Sequence, residues 1–272
     1  MGKNKVMVSV VMGVYDPEKE KLKKALYSIV KQTFKDWELI LYDDGSKNKD
    51  AAFIRKLCEK DERFIYIRQK KNHGLAYALN VCIRQAKGKY VARMDADDIC
   101  EPKRFETQYQ FLETHPKYQW VGSNAELMDK DGVWGYQKMP RIPKRTDFLF
   151  NSPYLHPTVM FRRTVLKENH GYCSASKWKG LEDYELFMRL HKNGNHGYNI
   201  QESLLKYWED YHSHQKRTYM RRIREMFLRI HGFRLLGIFH VKTLPYVVKP
   251  LLVGAIPAPL HHYIRKKRKK MP

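Results

Sequence analysis

Acids gather at three points along this 272-residue chain: Asp43-Asp44, Asp95-Ala96-Asp97-Asp98 and Glu182-Asp183. Grouped carboxylates bind hard divalent cations, which in turn hold phosphates. A single carboxylate in a pocket can also take a proton from a weak nucleophile. Asp95 and Asp97 form a D-x-D suited to Mn²⁺ or Mg²⁺. Alone that pattern is weak, and a second one, Asp129-Lys130-Asp131, reads as a solvated turn. What separates the first is its place between an apolar run and an apolar helix. Asp43-Asp44-Gly45-Ser46 reads either as a plain strand-to-helix turn or as a strand-end acid bonding to a base or ribose. Glu182-Asp183 opens a helical segment, where first-turn acids either complement the helix dipole or place a general base at a pocket rim. His212 and His214 stand beside Lys216 and Arg217, pairing candidate metal ligands with phosphate-binding cations. Neither G-x-x-x-x-G-K-[ST] nor G-x-G-x-x-G occurs, which leaves any phosphate to a divalent cation.

These residues need elements to hold them. Val6 to Gly13 is an unbroken apolar run, as in a strand covered on both faces. Lys3 and Lys5 before it resemble a signal peptide, but the run is short and lacks a cleavage site. Asp16-Pro17-Glu18 predicts an N-cap, a first helical residue and a first-turn acid. Leu22, Ala25, Leu26, Ile29 and Val30 follow at helical spacing. Further strands are predicted over Trp37 to Tyr42, Phe64 to Ile67 and Tyr90 to Met94, with helices between them. Strand and helix alternate about every 25 residues, which predicts a mostly parallel α/β sheet flanked by helices. After Trp120 the pattern changes: Asp131-Gly132 signals a tight turn and Val133 to Met139 an added strand. Leu181 to Asn193 is a later helix. Ligands of open α/β sheets bind beyond the carboxyl ends of the strands. Tyr15-Asp16, Asp43-Asp44 and Asp95 to Asp98 all lie there.

The formal charge is +23, with 43% hydrophobic residues. From His212 to Pro272, fifteen Lys and Arg face one acid, Glu225, so this stretch alone carries +14. A polyanionic partner is implied: nucleic acid, an anionic membrane or a phosphorylated substrate. Arg-rich Met220 to Leu236 interleaves Ile223, Met226, Phe227, Ile230, Phe233 and Leu235, as an amphipathic helix does. Tyr246 to Leu260 is apolar but broken by prolines, too short for a spanning helix. Arg265 to Lys270 closes the chain. We expect a catalytic domain over 1–211 and a basic amphipathic extension over 212–272, lying on the anionic cytoplasmic face of a membrane. Cys58, Cys82, Cys100 and Cys173 are scattered, as suits a reducing cytosol.

With these segments in place the chain resembles the GT-A fold glycosyltransferases of family 2. Val8 to Tyr15, Ser28 to Thr33, Glu38 to Ser46 and Asn72 to Leu75 match its pattern. Gly88 to Asp98, His156 to Phe161 and Glu182 to Leu186 complete it, across residues 6 to 214. The resemblance implies that Gly13, Val14, Tyr15, Asp43 and Asp44 line the nucleotide pocket. Arg93 and Asp95 would face the donor, Asp97 would bind Mn²⁺ or Mg²⁺, and Asp183 beside Glu182 would be the catalytic base. It favours His212 or His214 as an added metal ligand. It implies hexosyl transfer with inversion from a nucleoside-diphosphate sugar, expected to be a UDP-sugar, in bacterial surface-polysaccharide synthesis. A lipid-linked or glycan acceptor would suit the membrane placement. Gly13 departs from the family's usual Pro or Thr. The processive Q-x-x-R-W is absent, since Gln215-Lys216-Arg217 lacks the Trp, which favours single additions.

Two other readings compete. Charge alone suggests a nucleic-acid binder, but acid clusters at strand ends would repel phosphates, so we expect no nucleic acid. A glycosyltransferase-like scaffold acting through partners is the other, and the intact Asp97 and Asp183 speak against it.

Overall fold

A computed structural model describes residues 5–210 and 218–269. Its core is a nine-stranded sheet ordered β3-β2-β1-β4-β8-β6-β9-β5, with β7 paired to β6. The first half follows from the sequence. Strands β1 (Val8–Val14), β2 (Trp37–Asp44), β3 (Phe64–Gln69) and β4 (Tyr90–Arg93) run parallel, joined by helices α1 (Lys19–Val30), α2 (Asn48–Cys58) and α3 (Leu75–Gln85). The rest is mixed. β6 (Trp120–Asp129) pairs antiparallel with β7 (Gly132–Gln137) and β8 (Met160–Arg162), but parallel with β9 (Gly197–Trp208). β5 (Ile99–Cys100) runs antiparallel to β9. The expected mostly parallel sheet is therefore parallel over one half only. The expected strand near Val133 is β7, and it is antiparallel.

Apolar side chains alternate across the strands and feed two cores. Val10, Leu39 and Met160 pack with Leu22, Ile54 and Phe105 on the face of α1, α2 and α4 (Arg104–Thr114). Val11, Ile40 and Phe161 pack with Leu79, Phe187 and Leu228 on the face of α3, α6 (Glu182–Lys192) and α7 (Tyr219–Leu235). Each buried Leu, Ile or Phe side chain contributes roughly 1.5–3 kcal/mol. The short helix α5 (Arg163–Glu168) follows β8. All four cysteines are free thiols.

Two local expectations change. Helix α1 begins at Lys19 with Glu18 at its N-cap. Asp16 does not cap it. Asp16 adopts a positive φ of 41°, its amide donates to Ser46 Oγ at 2.9 Å and its Oδ1 accepts from the Lys47 amide at 2.8 Å. Its carboxylate is committed to the neighbouring strand-end loop. The second change is α7, whose apolar stripe turns inward. Leu228 and Phe233 are fully buried, and Gly232 lies against Met188 of α6, where a Cβ would collide with the sulfur. Phe227 remains exposed. Helices α8 (Leu244–Gly254) and α9 (Ala258–Arg268) close the described chain. No single helix among the described residues is long and apolar enough to cross a membrane.

Candidate active site

The parallel register brings the strand ends level, with Val14 beside Asp43 and Val11 beside Arg93. At the end of β2, Asp43 is fully buried and spent on local structure. Its Oδ1 accepts from the Ser46 amide at 2.9 Å and its Oδ2 from the Tyr66 hydroxyl at 2.8 Å. Asp44 is occupied as well. Its two oxygens accept from the His73 and Gly74 amides at 2.9 and 2.7 Å, fixing the turn into α3. Gly45 makes this possible: its φ is 88° and the 70–72 backbone passes where a Cβ would stand. Gly13 abuts Leu75 and Ala78, Val14 is buried, and Tyr15 is exposed.

Strand β4 ends at Arg93, which is buried and ion-paired to Asp95. Burial opposes the guanidinium's charge, but Asp95 holds its pKa above the ordinary range. Asp95, Asp97 and Asp98 follow, their carboxylate oxygens all within 4.8 Å of one another. Burial, then Asp95, pushes Asp97 up to about 6. Burial, then Asp95 and Asp97, holds Asp98 well above the usual carboxylate range. Asp98 Oδ1 accepts from the Trp208 amide at 2.8 Å, and its buried Oδ2 has no hydrogen-bond partner among the described residues. Three crowded hard oxygen donors with one unsatisfied atom fit a divalent cation.

A cleft of about 410 Å³ opens over this loop. Arg93, Asp95, His156, Glu182, Asp183 and Arg221 all line it. Glu182 and Asp183 sit in the first turn of α6, and burial raises both their pKa values. For Asp183, Arg221 partly offsets that rise. Glu182 Oε1 accepts from the Gly180 amide at 2.9 Å, leaving Asp183 as the less committed of the pair. A carboxylate with a raised pKa is a stronger base once ionised.

The structure thus gathers Arg93, Asp95, Glu182 and Asp183 around one cleft. Asp97 joins them through the carboxylate cluster but faces an adjoining recess with Lys21 and Trp208. Gly13, Val14, Tyr15, Asp43 and Asp44 do not line the cleft. His212, His214, Lys216 and Arg217 lie outside the described residues. His156 and Arg221 are cleft residues to which sequence reasoning gave no role. His156 Nε2 meets the Tyr172 hydroxyl at 2.7 Å, and burial, then Arg93, holds its pKa well below normal, so it is neutral. Its only sequence signal was the segment from His156 to Phe161. Arg221 had none beyond a basic helix face.

Residues 9–175 match the family described as Glycosyl transferase family 2. The chain is 35% identical over 262 residues to glycosyltransferase EpsE of Bacillus subtilis, covering 96% of this chain and 94% of that one. It is 32% identical over 206 residues to the O-antigen biosynthesis glycosyltransferase WbnJ of Escherichia coli, covering 74% and 79%. Among solved structures, S. aureus TarS 1-349 in complex with UDP-GlcNAc aligns with a TM-score of 0.61 at 20% identity, over 96% of this chain and 88% of that 1-349 chain. Mannosyltransferase PcManGT of Pyrobaculum calidifontis, in complex with GDP-Man and Mn²⁺, aligns at 0.65 and 16%, over 96% and 79%. At these identities the structural likeness is one of fold.

Proposed function

This chain belongs to glycosyl transferase family 2, and we propose that it moves a hexose from a nucleoside-diphosphate sugar onto an acceptor hydroxyl with inversion. One observation carries the reading: Asp95, which opens the carboxylate cluster, and Asp183 border a single cleft. Asp95 and Asp97, with Asp98 behind them, would hold Mn²⁺ or Mg²⁺. A bound cation supplies charge neutralisation to the departing diphosphate. Arg93 fixes Asp95 by their ion pair. Asp183 takes the proton from the acceptor oxygen as that oxygen attacks the anomeric carbon from the face opposite the leaving group. It must be ionised to do so. Its raised pKa therefore predicts that activity falls, as pH drops, above the ordinary aspartate range. Neutral His156 offers polar contacts to a sugar without adding charge. A UDP-sugar is the expected donor, supported by TarS as a neighbour of the same fold.

Surface-polysaccharide synthesis is supported by the similarity to WbnJ, and a lipid-linked acceptor at the cytoplasmic membrane face by the C-terminal helices. Val241, Leu244, Val248 and Leu252 are exposed at spacings of three and four residues, one apolar row beside many cations. Such a row suits shallow burial in an anionic interface.

The experiment is nucleoside-diphosphate release from a panel of nucleotide sugars, with and without Mn²⁺ and membrane extract. Release that requires metal, is stimulated by membranes and falls on the order of 10³-fold in Asp97→Ala is expected, since a Lewis acid contributes several kcal/mol. No release from any donor would overturn the reading in favour of a binding scaffold.

A further inference from the structure

A second cavity, of about 360 Å³, lies between α7, α8 and α9. Arg222, Arg229, Lys249, Arg265, Arg268 and Lys269 line it, with Glu225 as the only acid among the described residues. Glu225 is already committed: Arg229 donates to its Oε1 at 3.0 and 3.2 Å, and Arg222 reaches its Oε2 at 3.3 Å. Glu209 pairs with Arg265 from outside the cavity. No acid of the cavity is left to balance Lys249, Arg268 and Lys269. Burial, then Arg229, depresses the Lys249 pKa. Burial, then Arg265, depresses that of Lys269. Glu225 and Glu209 offset these shifts only in part, so both ammonium groups stay under-compensated.

The cavity is also held in shape. Lys266 pairs with Asp129 at 2.6 Å, and the Lys269 carbonyl accepts from the Tyr136 amide at 2.8 Å. Gly135 makes that approach possible, because a Cβ there would meet the Lys269 carbonyl. These contacts pin the end of α9 to β6 and β7. The remaining wall is apolar, made by Pro250, Val253, Ile256 and Ile264. Arg222, Glu225, Arg265 and Asn151 line both this cavity and the cleft above Asp95, so the two spaces adjoin.

We infer that this cavity holds the phosphate or diphosphate of an acceptor that carries an apolar chain, with the anion on the cationic wall and the start of the chain on the apolar wall. The inference rests on the transfer reaction proposed above, and it assigns the acceptor's anionic end to α7–α9. Cations and apolar surface in one cavity favour an amphiphilic phosphate over a free one.

The test is calorimetric titration of the full chain with dodecyl phosphate below its micelle concentration, with inorganic phosphate, and with UDP plus Mn²⁺. The comparison is with Lys249→Met combined with Arg268→Gln. The double change removes the Lys249 bond to the Phe150 carbonyl, but that carbonyl still accepts from Arg229. Dodecyl phosphate should bind the wild type at least about tenfold more tightly than the variant, the loss expected for charge-assisted contacts. UDP–Mn²⁺ binding should agree within about twofold, showing that the variant is folded. An unchanged dodecyl phosphate affinity overturns the inference. So does inorganic phosphate binding as tightly as dodecyl phosphate, which would assign the cavity to a free anion. Loss of UDP binding in both proteins, with dodecyl phosphate still sensitive to the variant, would sink the donor reading and leave the anion pocket standing.

Discussion

Asp95, Asp97 and Asp98 crowd one loop with Arg93 as their adjoining cation, whereas Glu225 is gripped by Arg221, Arg222 and Arg229. Both groups are largely buried, yet their titration moves in opposite directions. Burial and mutual repulsion raise Asp97 to about 6 and hold Asp98 well above the ordinary carboxylate range. Burial also opposes the Glu225 charge, but Arg229 and its neighbours hold its pKa below the ordinary value. The satisfied cluster fastens α7 to the 149–150 segment, where Arg229 also donates to the Leu149 and Phe150 carbonyls. Crowding in the first cluster opposes its ionisation, and the proposed cation would relieve it. Charge left unbalanced in a folded interior marks function here, and charge balanced in place marks architecture.

The largest effect that could break this contrast is on the satisfied side. Arg229→Met takes from Glu225 its closest cation and removes the Arg229 bonds to the Leu149 and Tyr246 carbonyls, and should cost about 3–5 kcal/mol in chemical denaturation. A loss under about 1 kcal/mol would mean the cluster holds nothing. The frustrated side should respond with the opposite sign. Asp97 has a folded pKa of about 6, above its ordinary 3.8. Its ionisation therefore opposes folding, with the penalty absent below 3.8 and complete above 6. Without divalent cation at pH 7, Asp97→Asn should raise stability by on the order of 1–3 kcal/mol. Mn²⁺ should then stabilise the wild type and leave the variant unmoved. The mildest test sits at the rim, where Lys266 is half-exposed against Asp129. Lys266→Ala should cost only about 0.5 kcal/mol, separating surface pairing from the interior balance of Glu225.

How far the sequence reached differs between the same two regions. The frustrated cluster was legible because apolar runs mark β1, β2 and β4, and parallel strands deliver their ends to one edge. The placing of Asp95 and Asp97 in one cluster followed from that logic, and the proposed role of Asp183 from the family pattern alone. The committed roles of Asp43 and Asp44 were not legible, because a strand-end acid looks the same whether it bonds to a ligand or to amides three and thirty residues away. β6 pairs in parallel with β9, from Trp120 beside Gly197 onward, a partnership no local pattern encodes. The amphipathic stripe of 220–236 marked the helix but not its covered face: Phe233 of the stripe is buried, Phe227 is exposed, and Leu228, outside the stripe, is covered by the protein itself. His156 and Arg221 escaped notice because a lone imidazole and one arginine among many carry no spacing signal.

The central claim is that Asp183 moves the proton while the Asp95–Asp98 loop handles the donor. The direct measurement pairs turnover with donor affinity in Asp183→Asn, a near-isosteric change that removes only the base. Turnover should fall about 10²–10⁴-fold, with donor affinity in the presence of Mn²⁺ within about twofold of wild type. Turnover that survives the change, or donor affinity that collapses together with it, would contradict the division of labour in the cleft.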